Sequence, residues 1–194
     1  WGYAACHAHG NVIEWNHVHD IGRGTLSDMG GIYTLGVQPG TRIRFNVFHD
    51  VESRGYGGWG IYLDEGSSHI LVEKNLTYHT KSAGFHQHYG QDNLIQNNIF
   101  ALAREAHLHR TRPEPHVSFI FRRNIFYNAT DLVHRGRYFD GESTDIDRNL
   151  YWNPTGQLIF AGGSLTEYRK KTGNDKASLV LDPKFRNPDK ADFS

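Results

Sequence analysis

A short apolar strand closing on asparagine recurs six times along this chain, and that recurrence limits the fold more than any other feature. The copies are Asn11-Val12-Ile13-Glu14-Trp15-Asn16, Thr41-Arg42-Ile43-Arg44-Phe45-Asn46, Ile70-Leu71-Val72-Glu73-Lys74-Asn75, Leu94-Ile95-Gln96-Asn97-Asn98, Phe119-Ile120-Phe121-Arg122-Arg123-Asn124 and Asp145-Ile146-Asp147-Arg148-Asn149. Measured from Asn16 to Asn46, Asn75, Asn98, Asn124 and Asn149, the successive differences are 30, 29, 23, 26 and 25 residues. A second small strand follows each asparagine, as in Val47-Phe48, Ile99-Phe100 and Leu150-Tyr151-Trp152. Periods of this size mark stacked repeats that bury their apolar faces against one another. Parallel strands joined by crossovers favour the right hand. The expected fold is therefore all-β, a right-handed parallel β-helix (β-solenoid) of about six coils, on the order of 30 Å long at roughly 4.8 Å per coil.

Asparagine suits the bend between two such strands because it tolerates the left-handed backbone region and its amide can bond to its counterparts in the neighbouring coils. An internal asparagine ladder is expected. An antiparallel sandwich would need Asn-Gly hairpins, whereas the bends here are single residues. No segment from 1 to 160 sustains a helical period. Coils are expected over about 1–163 of a single domain spanning 1–194. A cap follows at about 164–194, with a short helix at 165–172 between the capping box Ser164/Glu167 and the stop at Gly173, then a strand at 178–181.

The third strand of each coil follows a glycine or another short turn. Aligned on their inward residues, these strands are Gly31-Ile32-Tyr33-Thr34-Leu35, Gly60-Ile61-Tyr62-Leu63-Asp64, Gly84-Phe85-His86-Gln87-His88, Glu105-Ala106-His107-Leu108-His109 and Asp131-Leu132-Val133-His134-Arg135. Ile32, Ile61, Phe85, Ala106 and Leu132 are then expected inward. Tyr33, Tyr62, His86 and His107 form one outward file, and Leu35, Asp64, His88, His109 and Arg135 the next. Long connections before the first two of these strands carry Asp28, Arg54, Tyr56 and Trp59, and loops beside a rigid sheet are where sites are usually hung.

Composition excludes several classes. Lys+Arg and Asp+Glu are both 21, so neither nucleic acid nor an anionic membrane is the implied partner. No long apolar run reads as a membrane span or a signal peptide. The single Cys6 rules out an internal disulfide framework. The chain opens at Trp1 already within the repeating pattern, so it reads as part of a longer protein.

Asp28, Asp64 and Glu65 are the candidate catalytic acids, because glycosidic bond cleavage needs one carboxyl to protonate the departing oxygen and another to attack the sugar or activate water. The bland alternative is that Asp28 caps a turn and Glu65 pairs with an arginine. The pairs His86/His88 and His107/His109, with Asp64, have spacings compatible with zinc. We assign them instead to sugar hydroxyls, with Tyr33, Tyr62 and Trp59 stacking on sugar faces, and expect neither metal nor cofactor. Arg110, Arg112, Arg135 and Arg137 would make one end of the strip basic, either as a solvated face or as a subsite for an acidic sugar. Asn75-Leu76-Thr77 and Asn128-Ala129-Thr130 match the glycosylation pattern, but Asn75 belongs to the internal file.

The stretch Asp28-Met29-Gly30-Gly31-Ile32-Tyr33-Thr34-Leu35-Gly36-Val37-Gln38-Pro39-Gly40, the opening through Ser67, Gly84-Phe85-His86-Gln87-His88-Tyr89-Gly90 and the ending Leu181-Asp182-Pro183-Lys184-Phe185 resemble bacterial right-handed parallel β-helix glycoside hydrolases. The nearest set is glycoside hydrolase family 141, which includes α-L-fucosidase and xylanase activities. The resemblance implies a secreted or periplasmic enzyme with Asp28 and Asp64 as catalytic acids, Glu65 being the substitute if the register shifts by one. Members of that family are several hundred residues longer on the N-terminal side, so it also implies a fragment. A polysaccharide lyase acting on uronates, and a non-catalytic glycan-binding or structural solenoid, are the alternatives.

Overall fold

The computed structural model describes residues 1–194 apart from Cys6, Arg137, Tyr138 and Asp140. The thiol of Cys6 and the expected cation of Arg137 therefore lie outside the described residues.

Three parallel sheets run the length of a β-solenoid. The first stacks Val12–Glu14, Arg42–Arg44, Leu71–Glu73, Asn93–Gln96, Phe119–Arg122 and Thr144–Asp147 in chain order. The second stacks His17–Ile21, Val47–Val51, Leu76–Thr80, Ile99–Ala101, Ile125–Tyr127, Leu150–Trp152 and Leu179–Val180, and the third Gly30–Thr34, Trp59–Leu63, Phe85–Gln87, Leu108–Arg110 and His134–Arg135. Period-two alternation fills the interior with in-register files. Ile13, Ile43, Val72, Ile95, Phe121 and Ile146 come from the first sheet; Val18, Phe48, Thr77, Phe100, Phe126 and Tyr151 from the second. Stacked rings such as Phe126 and Tyr151, 4.9 Å apart, add contact energy to burial worth roughly 1.5–3 kcal/mol per side chain.

At the bend between the first two sheets, Asn16 donates through Nδ2 to Oδ1 of Asn46 at 2.8 Å, and the same bond joins Asn46 to Asn75, Asn75 to Asn98 and Asn98 to Asn124, each at 3.0 Å, and Asn124 to Asn149 at 3.2 Å. The left-handed residue of this bend is the one before each asparagine. Trp15, Phe45, Lys74, Asn97, Arg123 and Arg148 have φ between 55° and 60°. The asparagine is thus needed for its amide, and the strain falls on its neighbour.

A second corner, between the second and third sheets, is set by glycine. A Cβ on Gly60 would lie 2.6 Å from the Gly84 carbonyl oxygen and 2.9 Å from Thr77 Cβ; one on Gly84 would lie 2.8 Å from the Phe100 ring. This is a steric requirement rather than a matter of φ.

The C-terminal helix α1 (Leu165–Thr172) carries both halves of the expected capping box, and Gly173 closes it at φ 74°. It lays Tyr168 over the end of the interior, 4.9 Å from the His134 ring and 6.0 Å from Phe160. Among the described residues no helix is long and apolar enough to cross a membrane.

Candidate functional site

The third sheet corrects the expected register. Tyr33, Tyr62, His86, His109 and Arg135 are in-register neighbours. His107 is not in that file, and His109 and Arg135 do not continue the column of Asp64 and His88. The reason is the constant length from bend to strand: His86, His109 and Arg135 each lie 11 residues beyond their asparagine (86 − 75, 109 − 98, 135 − 124). Matching one His-X-His to the other shifts the fourth coil by two. Leu108 and His134, not Ala106 and Leu132, consequently join Ile32, Ile61 and Phe85. His107 occupies the glycine position of the corner, where its ring points inward 5.8 Å from Phe126, fully buried with neither ring nitrogen hydrogen-bonded among the described residues. Burial pushes its pKa down to about 3.

The outward file forms a packed aromatic floor. Trp59, Tyr62, His86 and His109 are 0, 2, 0 and 6% exposed, so they offer no open ring face to a sugar, contrary to expectation. The Tyr62 and His86 rings stack at 4.6 Å, His86 and His109 at 4.5 Å, and Trp59 leans on His86 at 4.1 Å. Trp59 Nε1–H donates to His109 Nδ1 at 3.1 Å, and His86 Nε2 meets Thr111 Oγ1 at 3.1 Å. Burial holds His109 down to about 4 and His86 well below the usual imidazole range, with the neighbouring His109, His88 and Arg135 adding to the second effect.

Above this floor the carboxylates gather. Tyr33 Oη–H donates to Asp64 Oδ2, and His88 Nδ1–H donates to Asp64 Oδ1 at 3.0 Å, which leaves His88 Nε2 directed elsewhere. Tyr62 Oη–H donates to Asp28 Oδ1 at 3.3 Å, and the Tyr33 and Tyr62 rings meet edge to face at 4.7 Å. Burial, then the bond to Asp64 and the nearby charges of Asp28 and Glu65, push the Tyr33 phenol up; burial, then Asp64 and Asp28, do the same to Tyr62. Both phenols stay O–H donors. Asp28 sits at φ 51° on a loop fastened by its N–H to the Tyr56 carbonyl at 2.6 Å. Gly57 permits that approach, because a Cβ there would fall 2.7 Å from Asp28 N.

Asp28, Tyr33 and Tyr56 are exposed, Glu65 and His88 half-buried, and Asp64 is 6% exposed beneath them. Tyr56, 4.8 Å from Trp59, is an accessible aromatic on the second of the long connections. Thr111 is not among the residues expected from the sequence, although it lies 13 residues beyond Asn98 as His88 does beyond Asn75.

The expected basic strip is not present among the described residues. Arg110 is fully buried and donates to Ser118 and Ser143 at 2.7 and 2.9 Å. Arg135 is ion-paired with Glu105, and Arg112 lies over Tyr89, 3.4 Å from Glu114. No three His, Cys, Asp or Glu side chains among the described residues are grouped to hold a metal ion. A cavity of about 730 Å³ lies away from Asp28 and Asp64, under α1 beside His134, Arg135, Phe139 and Phe160. The carboxylates instead border an open surface.

Comparison with known proteins places this geometry. The family described as "Right handed beta helix region" matches residues 2–170. The uncharacterized protein YwoF of Bacillus subtilis (strain 168) is 25% identical over 186 residues, covering 72% of this chain and 39% of YwoF. The chain thus spans well under half the length of that relative. No solved structure matches the chain.

Proposed function

The chain belongs to the right-handed β-helix family, and from that premise we propose that it acts on a polysaccharide, hydrolysing a glycosidic bond at the open face of the third sheet. The observation that carries the reading is the linked set Asp28–Tyr62–Tyr33–Asp64, two carboxyls each held by a phenol, the phenols in ring contact. Asp64, with both oxygens accepting hydrogen bonds, is the fixed group that would attack the sugar or activate water. Asp28, exposed and held by one long bond, would deliver the proton to the departing oxygen. Glu65 and His88 Nε2 are placed to bind sugar hydroxyls, and Tyr33 and Tyr56 supply the accessible aromatic surface.

The resemblance to glycoside hydrolase family 141 supports this reading and points to fucosylated or xylan-type glycans. Such polymers do not cross membranes, so on this reading the protein works in the periplasm or outside the cell. The lyase alternative needs a cation to neutralise a uronate; among the described residues Arg110 is internal and Arg112 and Arg135 lie beside carboxylates, which leaves Arg54 on the loop of Tyr56 as the cation that reading would use.

The test is a depolymerisation screen against plant and algal polysaccharides, read as release of reducing ends. Asp64→Asn and Asp28→Asn should each lower turnover by roughly a hundredfold or more. Undiminished activity in either variant rejects the assignment, and unsaturated, ultraviolet-absorbing products would decide for a lyase.

A further inference from the structure

On the outer face of the second sheet, away from the carboxylates, four histidines and two aspartates gather across the first three coils. His19 and His49 are in-register neighbours, and His17 lies two residues before His19 on the same face. His17 Nε2 and His49 Nε2 stand 2.7 Å apart. The His49 ring is clamped between Tyr78 (4.5 Å, 10° between planes) and His19 (5.0 Å, 4°). Its Nδ1–H is held by Asp50 Oδ2 at 2.6 Å, and the other Asp50 oxygen faces His79 Nδ1 at 3.6 Å. His19 Nδ1 is held in the same way by Asp20 at 2.7 Å.

The aspartate bonds alone have a local explanation. Asp20 and Asp50 both turn the chain at φ 55° and 50°, which folds each carboxylate back onto the preceding histidine. The turn does not require the contact between His17 and His49. Asp50 fixes His49 as the Nδ1–H tautomer, so its Nε2 lone pair points outward at a second imidazole nitrogen. A carboxylate behind a histidine, setting the tautomer and orientation of the opposite nitrogen, is the outer-shell arrangement of metal-binding histidines.

We propose that His17 Nε2 and His49 Nε2 form a two-histidine site for a divalent transition metal of tetragonal preference, copper(II) above all, with solvent in the remaining positions and Asp50 as the positioning residue. Two nitrogens about 2.05 Å from one ion and at right angles to each other lie about 2.9 Å apart. With the nitrogens 2.7 Å and the ring centroids 4.9 Å apart, the two Nε2 atoms face each other nearly along one line as a hydrogen bond, so His17 must swing aside by about 2 Å for both lone pairs to meet at the ion. His17 is exposed and supplies that swing, whereas His49 is clamped. No proton need leave the site: the one on His17 Nε2 in the metal-free form moves to Nδ1, and each ring stays neutral while it ligates. His19, stacked parallel to His49, keeps its own nitrogens out of the ligand plane.

The test is titration of the whole chain with copper(II) chloride, followed by calorimetry and by electron paramagnetic resonance, with Cys6→Ser in every arm to remove the lone thiol. The expected result is one saturable site with nitrogen hyperfine structure. His17→Gln and His49→Gln should each weaken it at least tenfold, Asp50→Asn should weaken it measurably, and His9→Gln should leave it unchanged. His17 is on the surface, so its variant keeps the fold, checked by circular dichroism. Unchanged copper affinity in the folded His17→Gln protein, or loss of the site in His9→Gln, would overturn the proposal.

Discussion

Trp59 Nε1–H donates to His109 Nδ1 at 3.1 Å, joining residues 50 apart in sequence and two coils apart in the stack, across the face of His86. The bond settles the tautomer of His109, whose Nδ1 must be the acceptor. It also shows that the outward file of the third sheet is a second, aromatic core rather than a row of free ligands.

Removing that donor tests the second core. Trp59→Phe keeps much of the ring volume and leaves His109 Nδ1 buried without a partner. Chemical denaturation should show a loss of about 1–3 kcal/mol. A neutral result would mean that water replaces the indole.

The amide file makes a graded prediction. Asn75 is buried, and its Nδ2 donates to Asn98 Oδ1 and to the Ile43 carbonyl, each within 3.0 Å. Asn75→Ala leaves several internal groups unpaired and should cost roughly 2–4 kcal/mol. Asn16→Ala, at the exposed end of the file, should cost about 1 kcal/mol or less. Equal losses would mean that the bonds are incidental to stability.

Stability should fall as the medium is acidified from about pH 6.5 to 4. Burial lowers His107 and His134 to about 3 and His109 to about 4, so their stabilising contribution is complete above the unfolded value near 6.5. Below that pH the unfolded chain takes up protons that the fold refuses, and each histidine steepens the decline by up to about 1.4 kcal/mol per pH unit. Asp175, raised by burial to about 6, opposes this with the reverse sign but is a single group. His107→Leu should flatten the acid limb and raise stability at neutral pH, because it removes two buried nitrogens that have no partner among the described residues. Melting curves across this pH range check both parts.

Gly60→Ala is predicted to destabilise by about 1–3 kcal/mol although Gly60 has an ordinary φ. The added methyl meets the Gly84 carbonyl 2.6 Å away, and the coils must separate. A melting temperature equal to that of the parent would show that the corner can relax.

The repeat, the three strands per coil and the capped terminal helix were all legible in the sequence. Each follows from short-range chemistry: alternation of apolar residues, asparagine at a bend, and Ser164 with Glu167 at a helix start. Asp28 was expected on a loop of the coil next to that of Asp64; the phenols of Tyr62 and Tyr33 that hold the two carboxyls were not anticipated. Nor was it anticipated which histidine stands beside which. Two His-X-His runs look equivalent along the chain, and only the hydrogen-bonded stacking of whole coils carries the 11-residue offset from Asn75 and Asn98 to His86 and His109. Burial likewise escaped the one-dimensional pattern. Alternation tells that Tyr62 and His86 leave the interior, but the loop from Glu52 to Gly58 and their contacts with Trp59 and one another decide that they never reach solvent. Sequence therefore determined the solenoid, because that depends on periodicity. Tertiary structure decided which side chains remain accessible, because exposure depends on what other coils and loops lay over a position.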